Sequence, residues 1–444
     1  MNQKEVVDIL SQPGLEIILT YAPAGLGHLR DMDALKDGIP KGVTSSVLYS
    51  GDESIRVIHR LTSVNPFLRG VFEYMQSGLA QTIFTPFYRN YLRSHTKEVK
   101  EDLLLQINNT HPKKLLIVTT HFGFAHQVAA IKQEVEAKTG CKIYLIVQAT
   151  DDSPQYIWHV DGADLTFVTS EYVRKGLLEY SHLRHVPELK MAINPTPLHP
   201  ILSIPLSKTE QNNRINQANP DSEVKIHVII PISGAAVGTD YVLNLMKNLH
   251  SQSTRFIFHV VTKIAPYTTN FLDEMKTMDY VKVYASDRDK DVVDLYVDVL
   301  KNNVVLLEIT KPSEQAFKAA LNPTTRGGML MLFQKPVGRQ EYENINFLIR
   351  RNLMPSIEEN NLLWSQALQG KEYFEITSNL EAGVSIPHKP DSAADFIMWC
   401  LNKRIYSNML QSDRQAKKQA FPDEINDNST ELFWEKVAKF IASN

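Results

Sequence analysis

The motifs ITKP at residues 309–312, GG at 327–328 and PVGRQEYEN at 336–344 decide how this sequence is interpreted. An apolar run, Val304 to Ile309, predicts a buried strand that ends in the first motif. A second apolar run, Met329 to Phe333, predicts the next strand, and a Gln-Glu-x-x-Asn pattern then opens a helix. Ligands of open α/β sheets bind at the carboxyl edge of the strands. We therefore expect these three polar clusters to meet at one ligand-binding edge.

Length, charge and cysteine content restrict the class of protein. A chain of 444 residues is too long for one ordinary core and suits two domains. The formal net charge of -3, with basic residues spread along the chain, argues against a nucleic-acid partner. Cys141 and Cys400 lie far apart in apolar segments, which is typical of a reducing compartment. Without a secretory signal or an apolar run near the ~20 residues of a spanning helix, the sequence predicts a cytoplasmic protein.

Strand and helix patterns alternate through two halves of the chain, which predicts two Rossmann-like α/β domains. A polar stretch between the halves reads as a linker, and the pattern after about Pro390 is helical. The predicted parts are an N-terminal domain at 1–206, a linker at 207–223, a C-terminal domain at 224–390 and terminal helices at 391–444. The predicted strands are 15–20, 115–119, 142–147, 165–169, 225–230, 255–261, 281–285, 304–309 and 329–333.

The first strand runs into the sequence YAPAGLGH at 21–28, which contains Gly25, Gly27 and His28. Glycines at such a turn let the backbone approach a ligand, and the following helix start presents amide groups to it. A histidine whose pKa lies near neutrality could remove a proton from a bound hydroxyl group. A tight turn with a capping histidine explains the same residues, and both interpretations stay open at this point.

Thr150, Asp151 and Asp152 follow the predicted strand 142–147, so they are expected at the same edge as His28. Asp151 could orient the imidazole or act as the base itself. Two adjacent aspartates also suit a magnesium site, which ranks behind the first interpretation, or a plain turn and helix cap.

In the second half, a strand leads into the sequence PISGAAVG at 231–238 and then into a helix. Small residues such as Ser233, Gly234 and Gly238 before a helix N-terminus can hold a diphosphate through main-chain amides. A Walker lysine does not follow, so the pattern does not favour an ATPase.

These motifs resemble those of glycosyltransferases with the two-Rossmann B fold. The similar branch holds the monogalactosyldiacylglycerol synthases and the N-acetylglucosaminyltransferase of peptidoglycan precursor synthesis. The resemblance implies two Rossmann-like domains facing across a cleft, with C-terminal helices crossing back to the first. It further implies a hexosyltransferase that moves a sugar from a nucleotide-diphosphate sugar, with UDP as the expected nucleotide, to a hydroxyl acceptor with inversion. The resemblance implies neither a bound metal nor a further cofactor.

The resemblance also assigns roles to individual residues. His28 and Asp151 would be catalytic, and Lys311 would hold the diphosphate next to Thr310. Glu314 would accept from ribose hydroxyls, although the relatives have Gly-Gly where this chain has Ser313-Glu314. The residues expected to contact sugar hydroxyls are Gln340, Glu341 and Asn344.

Two other functions share this architecture. A UDP-sugar 2-epimerase or hydrolase would act without an acceptor, and a non-catalytic module would bind the sugar nucleotide alone. The altered turn at 312–314 keeps the second of these alternatives open.

Residues 60–95 interleave aromatic and basic side chains, including Phe87, Arg89, Tyr91 and Arg93. Such a surface can lie in a lipid interface. Because galactolipid synthases carry a similar insertion, we expect a lipid-linked acceptor and peripheral contact with the inner face of the membrane. A helical hairpin packed on the domain explains the aromatic residues equally well.

Overall fold

The computed structural model describes residues 1–21, 26–49, 78–234, 236–371 and 380–444. The chain forms two compact units. The first contains residues 1–200 and 428–444, and the second contains residues 201–427. In each unit a six-stranded parallel sheet carries helices on its faces, as the alternating pattern predicted.

The sheet of the first unit has the strand order β2-β1-β3-β4-β5-β6. Its strands are β1 Leu15–Tyr21, β2 Ser46–Tyr49, β3 Lys114–Thr119, β4 Lys142–Gln148, β5 Leu165–Val168 and β6 Met191–Ile193. Its helices are α1 Gln3–Leu10, α2 Leu26–Asp37, α3 Gly78–Ser94, α4 Lys97–Thr110, α5 Phe122–Thr139 and α6 Glu171–Arg184. The central strands are buried on both faces, as parallel strands between two helix layers require.

The sheet of the second unit has the strand order β12-β11-β10-β7-β8-β9. Its strands are β7 Ile226–Pro231, β8 Phe256–Lys263, β9 Val281–Ser286, β10 Leu307–Thr310, β11 Leu330–Phe333 and β12 Gly383–Ser385. The helices in its first part are α7 Lys208–Ala218, α8 Thr239–Gln252, α9 Thr269–Met275 and α10 Asp289–Asn302. Those that follow are α11 Arg339–Arg350, α12 Ile357–Leu368, α13 Pro390–Asn402, α14 Ile405–Leu410 and α15 Gln415–Ala420.

The polar stretch 207–223 contains helix α7, where the composition predicted a linker. Ser207 and Glu210 form a reciprocal capping box that starts the helix. Arg214 is buried and donates hydrogen bonds of 2.8 Å to the carbonyl groups of Pro323 and Thr325. The helix is therefore anchored to the second unit. Its polar composition suggested a linker, because a polar side chain, Arg214, makes these anchoring contacts.

The glycine pair at 327–328 lies at the amino end of β11, and not with the other two motifs. Because β10 and β11 are parallel, Lys311 and the segment 336–344 follow their carboxyl ends, at the opposite edge. A Cβ atom on Gly328 would meet the carbonyl oxygen of Asn322 at 1.7 Å. These glycines allow two backbone segments to approach closely. The prediction that all three motifs meet at one edge of the sheet is therefore wrong for the glycine pair.

The C-terminal helices divide between the units. Helices α13, α14 and α15 belong to the second unit, whereas α16, Ser429–Ala442, belongs to the first. Trp434 of α16 is buried and donates a hydrogen bond of 2.8 Å to the carbonyl of Leu35. A return of the chain to the first unit is thus present, and one helix makes it. In the described part of the chain, no helix combines the length and apolar character that crossing a membrane requires.

Candidate functional site

The carboxyl edge of the first sheet gathers the polar residues that follow β1, β3 and β4. His28 lies in the first turn of α2, just after β1. Thr120 follows β3, and Thr150 and Asp151 follow β4. The structure therefore brings His28 and Asp151 to one edge, together with Gly27, while Gly25 lies outside the described residues.

Thr120 holds His28 at two points. The imidazole Nδ1 lies 2.7 Å from the Thr120 carbonyl oxygen, and the Thr120 hydroxyl donates to the His28 carbonyl at 2.7 Å. Since a carbonyl oxygen can only accept, Nδ1 must carry the proton of this hydrogen bond. In the neutral ring, Nε2 is then the nitrogen whose lone pair can accept a proton.

Aromatic rings surround the half-buried imidazole of His28. The ring of His121 lies edge-on at 4.8 Å, and the rings of Phe122 and Trp158 lie at 6.4 and 6.3 Å. His121 itself caps α5, because its Nδ1 accepts from the amides of Gly123 and Phe124. His121 therefore has a structural role in starting this helix.

The two adjacent aspartates differ in their surroundings. Asp152 is fully buried and accepts hydrogen bonds from the hydroxyls of Thr169 and Ser170, which links the ends of β4 and β5. Asp151 is half-buried, and Thr150 donates to its carboxylate at 3.4 Å. The Thr150 hydroxyl also lies 3.4 Å from His28 Nδ1, so Thr150 connects the Asp151 carboxylate with the imidazole.

In the second unit, the segment after β7 forms a tight turn ahead of α8. Gly238 caps this helix with a φ of +87°, in the left-handed region that favours glycine. Tyr267 donates a hydrogen bond of 2.7 Å to the carbonyl of Gly234, and Ser233 is exposed. The turn thus presents the N-terminus of a 14-residue helix at the carboxyl edge of the sheet.

Thr310 ends β10 in the neighbouring position of the same sheet. Its hydroxyl donates to the carbonyl of Lys311 at 3.2 Å, and Lys311 is half-buried. Glu314, expected to accept from a ribose, is 9% exposed at the start of the 3-10 helix Glu314–Ala320. Burial of Glu314 favours a structural carboxylate over an exposed ligand contact in this conformation.

The Gln-Glu-x-x-Asn residues occupy three different environments at the start of α11. Glu341 accepts a hydrogen bond of 2.6 Å from the amide of Val337 and so satisfies the helix start. Asn344 is 0% exposed and donates to the carbonyl of Pro312 at 3.1 Å, which ties α11 to the turn after β10. Gln340 stays partly exposed. The sequence predicted that Asn344 contacts a sugar hydroxyl, whereas its side chain is buried and bonded to the turn after β10.

A buried ion pair that lies next to this edge was not predicted from the sequence. Glu308 of β10 and Lys318 are 0% and 2% exposed, and their charged groups lie 3.1 Å apart. Tyr296 of α10 donates to the same Glu308 oxygen at 2.6 Å, and the Lys318 ammonium lies 4.0 Å from the Tyr296 ring centroid. A glutamate inside an apolar strand was the available signal, because a buried carboxylate requires a partner.

Helix α3, within the stretch expected to contact a membrane, has two distinct faces. Ile83, Phe87 and Tyr91 are 66, 72 and 43% exposed at a spacing of four residues, so they form an outer apolar stripe. Arg89 and Arg93 turn inward, because their Nε atoms are buried and Arg93 donates to the Asp161 carbonyl at 2.6 Å. Both side chains are half-buried, and contact of these two arginines with a membrane stays a prediction. Residues 60–77 of the predicted surface lie outside the described residues.

Over the described ranges, no group of three or more His, Cys, Asp or Glu side chains is arranged to hold a metal ion. The carboxylate of Asp152 instead accepts from two hydroxyl groups.

Comparison with known proteins identifies the fold. No family model matches the sequence, and no curated protein matches it. S. aureus MnaA in complex with UDP superposes with a TM-score of 0.51 at 10% identity, covering 96% of this chain and 97% of that one. The UDP-GlcNAc 2-epimerase of Neisseria meningitidis, bound to UDP-GlcNAc, gives 0.50 at 9% identity, with 97% and 100% covered. A UDP-glucosyltransferase from Polygonum tinctorium gives 0.46 at 14% identity, with 98% and 100% covered. The chain has the two-Rossmann B fold, as its two parallel sheets and its superposition on the first two of these structures show.

Proposed function

We propose that this protein is a glycosyltransferase that moves a sugar from UDP to a hydroxyl acceptor with inversion. The observation that carries the proposal is the hydrogen bond between His28 Nδ1 and the Thr120 carbonyl. It leaves Nε2 as the basic nitrogen of a neutral imidazole at the carboxyl edge of the first sheet. A hydroxyl acceptor needs such a base, since its oxygen must lose a proton as it attacks the sugar.

The proposed reaction is a single displacement at C1 of the sugar. The acceptor oxygen forms a bond to C1 while His28 Nε2 takes its proton, and the bond from C1 to the diphosphate oxygen breaks. The electron pair leaves with UDP. Asp151, linked to the imidazole through Thr150, would favour the imidazolium that forms.

The second unit supplies groups suited to the leaving diphosphate. The N-terminus of α8 after Gly238 offers main-chain amides and the positive end of the helix dipole. Lys311 at the neighbouring strand end would add a positive charge, and Gln340 would contact a sugar hydroxyl. Preorganised donors of this kind stabilise charge that develops in a transition state. Asn344 and Glu341 would fix the backbone of this edge through their hydrogen bonds to Pro312 and Val337.

The acceptor is proposed to be a hydroxyl lipid reached at a membrane surface. The outer stripe of α3, formed by Ile83, Phe87 and Tyr91, supports this assignment, because exposed apolar side chains at helical spacing suit a lipid interface. In this arrangement the aromatic and aliphatic side chains of the stripe would contact the apolar part of the lipid.

A UDP-sugar 2-epimerase is the second candidate. The UDP-GlcNAc 2-epimerase of N. meningitidis, bound to UDP-GlcNAc, superposes with a TM-score of 0.50 over 97% of this chain. An epimerase would act on the sugar nucleotide without an acceptor. The two activities therefore differ in whether an acceptor hydroxyl is required.

The decisive experiment measures UDP release from UDP-glucose, UDP-galactose and UDP-GlcNAc, with and without vesicles that contain diacylglycerol. A transferase releases UDP when the acceptor is present. An epimerase changes the configuration at C2 without acceptor, which proton NMR of the sugar nucleotide detects. A binding module shows calorimetric heat with the nucleotide sugar and no turnover, which would contradict both enzymatic proposals.

The variant His28→Gln tests the base. We expect turnover to fall by about 100-fold or more, the range for loss of general base catalysis, while affinity for the UDP-sugar is retained. The matched control is His182→Gln, because His182 is exposed at the far end of α6. Wild-type turnover in His28→Gln would remove His28 from the mechanism.

A further inference from the structure

The inner face of α3 carries a row of polar side chains where an amphipathic helix normally buries apolar ones. Gln81, Thr85, Arg89 and Arg93 recur every fourth residue, and the first two are 3% exposed. The helix packs against α5 and against the 3-10 turn Tyr156–Trp158. Arg89 and Arg93 are half-buried, so two guanidinium groups, one helical turn apart, lie partly inside the first unit.

Several donors of these guanidinium groups are buried without an acceptor. Within the described residues, Nε and Nη1 of Arg89 and Nε of Arg93 have no hydrogen-bond partner and are shielded from solvent. The Arg93 Nη2 donates to the carbonyl oxygen of Asp161. Guanidinium groups remain charged in proteins, so a positive charge persists at this place.

The two histidines beside the arginines, His126 and His159, carry no charge of their own. Nε2 of His126 lies 2.9 Å from the Ile157 carbonyl, and Nε2 of His159 lies 3.2 Å from the Pro187 carbonyl. Burial, opposed by the bond to Ile157 and helped by Arg93 and Arg89, lowers the pKa of His126 to about 3. Burial and Arg89 lower the pKa of His159 as well. Both rings are thus neutral at neutral pH.

Among the described residues, the exposed Asp161 is the carboxylate that acts electrostatically on this cluster. It opposes the effect of burial, which lowers the pKa of Arg93. Counting only residues that the structure describes, the two guanidinium groups have one nearby carboxylate, and three of their nitrogens lack acceptors. A buried charge without a partner is costly, and an anion that accepts from those nitrogens would remove that cost.

We propose that Arg89 and Arg93 form a binding site for the phosphate group of a phosphate ester or of a lipid headgroup. A phosphate offers several oxygens in the tetrahedral arrangement that two guanidinium forks can share, and its charge balances the cluster. The site lies in the first unit and is built from residues separate from His28 and from the edge proposed to bind the UDP-sugar. It goes beyond the proposed glycosyl transfer and can exist without it.

The test is calorimetric titration of the full chain, in the absence of any sugar nucleotide, with inorganic phosphate and with glycerol phosphate. Binding to vesicles of phosphatidylglycerol, compared with phosphatidylcholine, tests the lipid source of the phosphate group. The variants are Arg89→Gln, which removes the charge, and Arg89→Lys, which keeps the charge and removes the fork. The control is Arg184→Gln, at an exposed position on α6.

For whichever phosphate probe the wild type binds, we expect the dissociation constant to rise about tenfold or more in Arg89→Gln. It should stay unchanged in Arg184→Gln. Arg89→Lys should weaken binding as well and covers the case in which Arg89→Gln fails to fold. A response to free phosphates assigns a soluble ester, and a response to phosphatidylglycerol alone assigns a headgroup. No binding of any probe by the wild type, or equal binding by wild type and both Arg89 variants, would overturn the proposal.

Discussion

At the scale of single residues, the hydrogen bond to a carbonyl oxygen determines what His28 can do. A side-chain partner such as a carboxylate can change its protonation state, whereas the Thr120 carbonyl can only accept. The tautomer of His28 is therefore fixed by the backbone of the turn after β3. The same turn supplies His121, which caps α5, so the base and the helix start depend on one short segment.

The adjacent residues Asp151 and Asp152 should respond differently to substitution. Asp152→Ala leaves the buried Ser170 hydroxyl without this acceptor and leaves Thr169 only its longer bond, 3.4 Å, to the Asp151 carbonyl. We therefore expect it to lower the free energy of unfolding by about 1–3 kcal/mol. Asp151→Ala, at a half-buried position, should cost less than about 1 kcal/mol and act mainly on turnover. Thermal melts and UDP-release rates of the two variants measure this. A larger loss of stability in Asp151→Ala would contradict the assignment.

At the scale of elements, the ion pair between Glu308 and Lys318 connects β10 with the 3-10 helix that follows the site edge. Lys318→Met leaves a buried carboxylate uncompensated, and we expect it to destabilise the protein by about 3–5 kcal/mol. The double variant Glu308→Gln with Lys318→Met should recover part of this loss, because it removes both charges. Chemical denaturation measures these changes.

An exposed ion pair provides the control for that experiment. Lys276 and Asp273 lie 2.8 Å apart, with side chains that are 72 and 60% exposed. Lys276→Met should therefore change stability by less than about 1 kcal/mol. Equal effects of the two lysine substitutions would show that burial of the Glu308 pair does not matter for stability.

Helix α3 allows a direct test of the proposed membrane contact. The double variant Ile83→Ser with Phe87→Ser removes two apolar side chains that are 66 and 72% exposed. Each buried CH₂ group contributes about 0.8 kcal/mol, so we expect vesicle binding to weaken by at least about tenfold. Co-sedimentation with lipid vesicles measures this.

The matched control for α3 lies in the second unit. Leu362→Ser, on α12, removes an apolar side chain that is 50% exposed and should leave vesicle binding unchanged. Equal binding by the α3 variant and the wild type would exclude the stripe as a lipid-contacting surface.

The success of prediction from sequence also differs between elements. Central strands such as β3 and β4 were predicted within one residue at each end, because burial on both faces leaves a continuous apolar run. The short edge strands β2, β6 and β12 were missed, since three or four residues carry too little pattern. Helix α7 was missed although its Ser-x-x-Glu start at Ser207 was readable as a capping box.

For the site, sequence identified which residues gather at the strand ends, but not the direction of each side chain. Asn344 and Glu314 were expected to face a ligand and are buried. Arg89 and Arg93 were expected in a lipid-contacting surface, and part of each guanidinium group is buried. A helical pattern gives the spacing of residues, whereas the side of the helix that packs is decided by neighbouring elements.

At the scale of the whole molecule, each unit contains a deeply buried neutral histidine that makes its stability depend on pH. Burial is the main cause that lowers the pKa of His126 in the first unit and of His259 in the second to about 3. In the unfolded chain these histidines bind a proton near pH 6.5, whereas the folded units do not. The unfolded state therefore gains protons as the pH falls, and stability decreases.

We expect each of these histidines to reduce the free energy of unfolding by about 2 kcal/mol between pH 6.5 and pH 5. Carboxylates with ordinary pKa values stay ionised in this range, so the histidine contribution is separable from acid denaturation at lower pH. Urea denaturation across the range should show this slope in the wild type. It should be reduced in His259→Phe and kept in His182→Gln, whose side chain is exposed. A wild-type stability that stays constant from pH 6.5 to pH 5 would mean that both buried histidines are protonated in the folded protein.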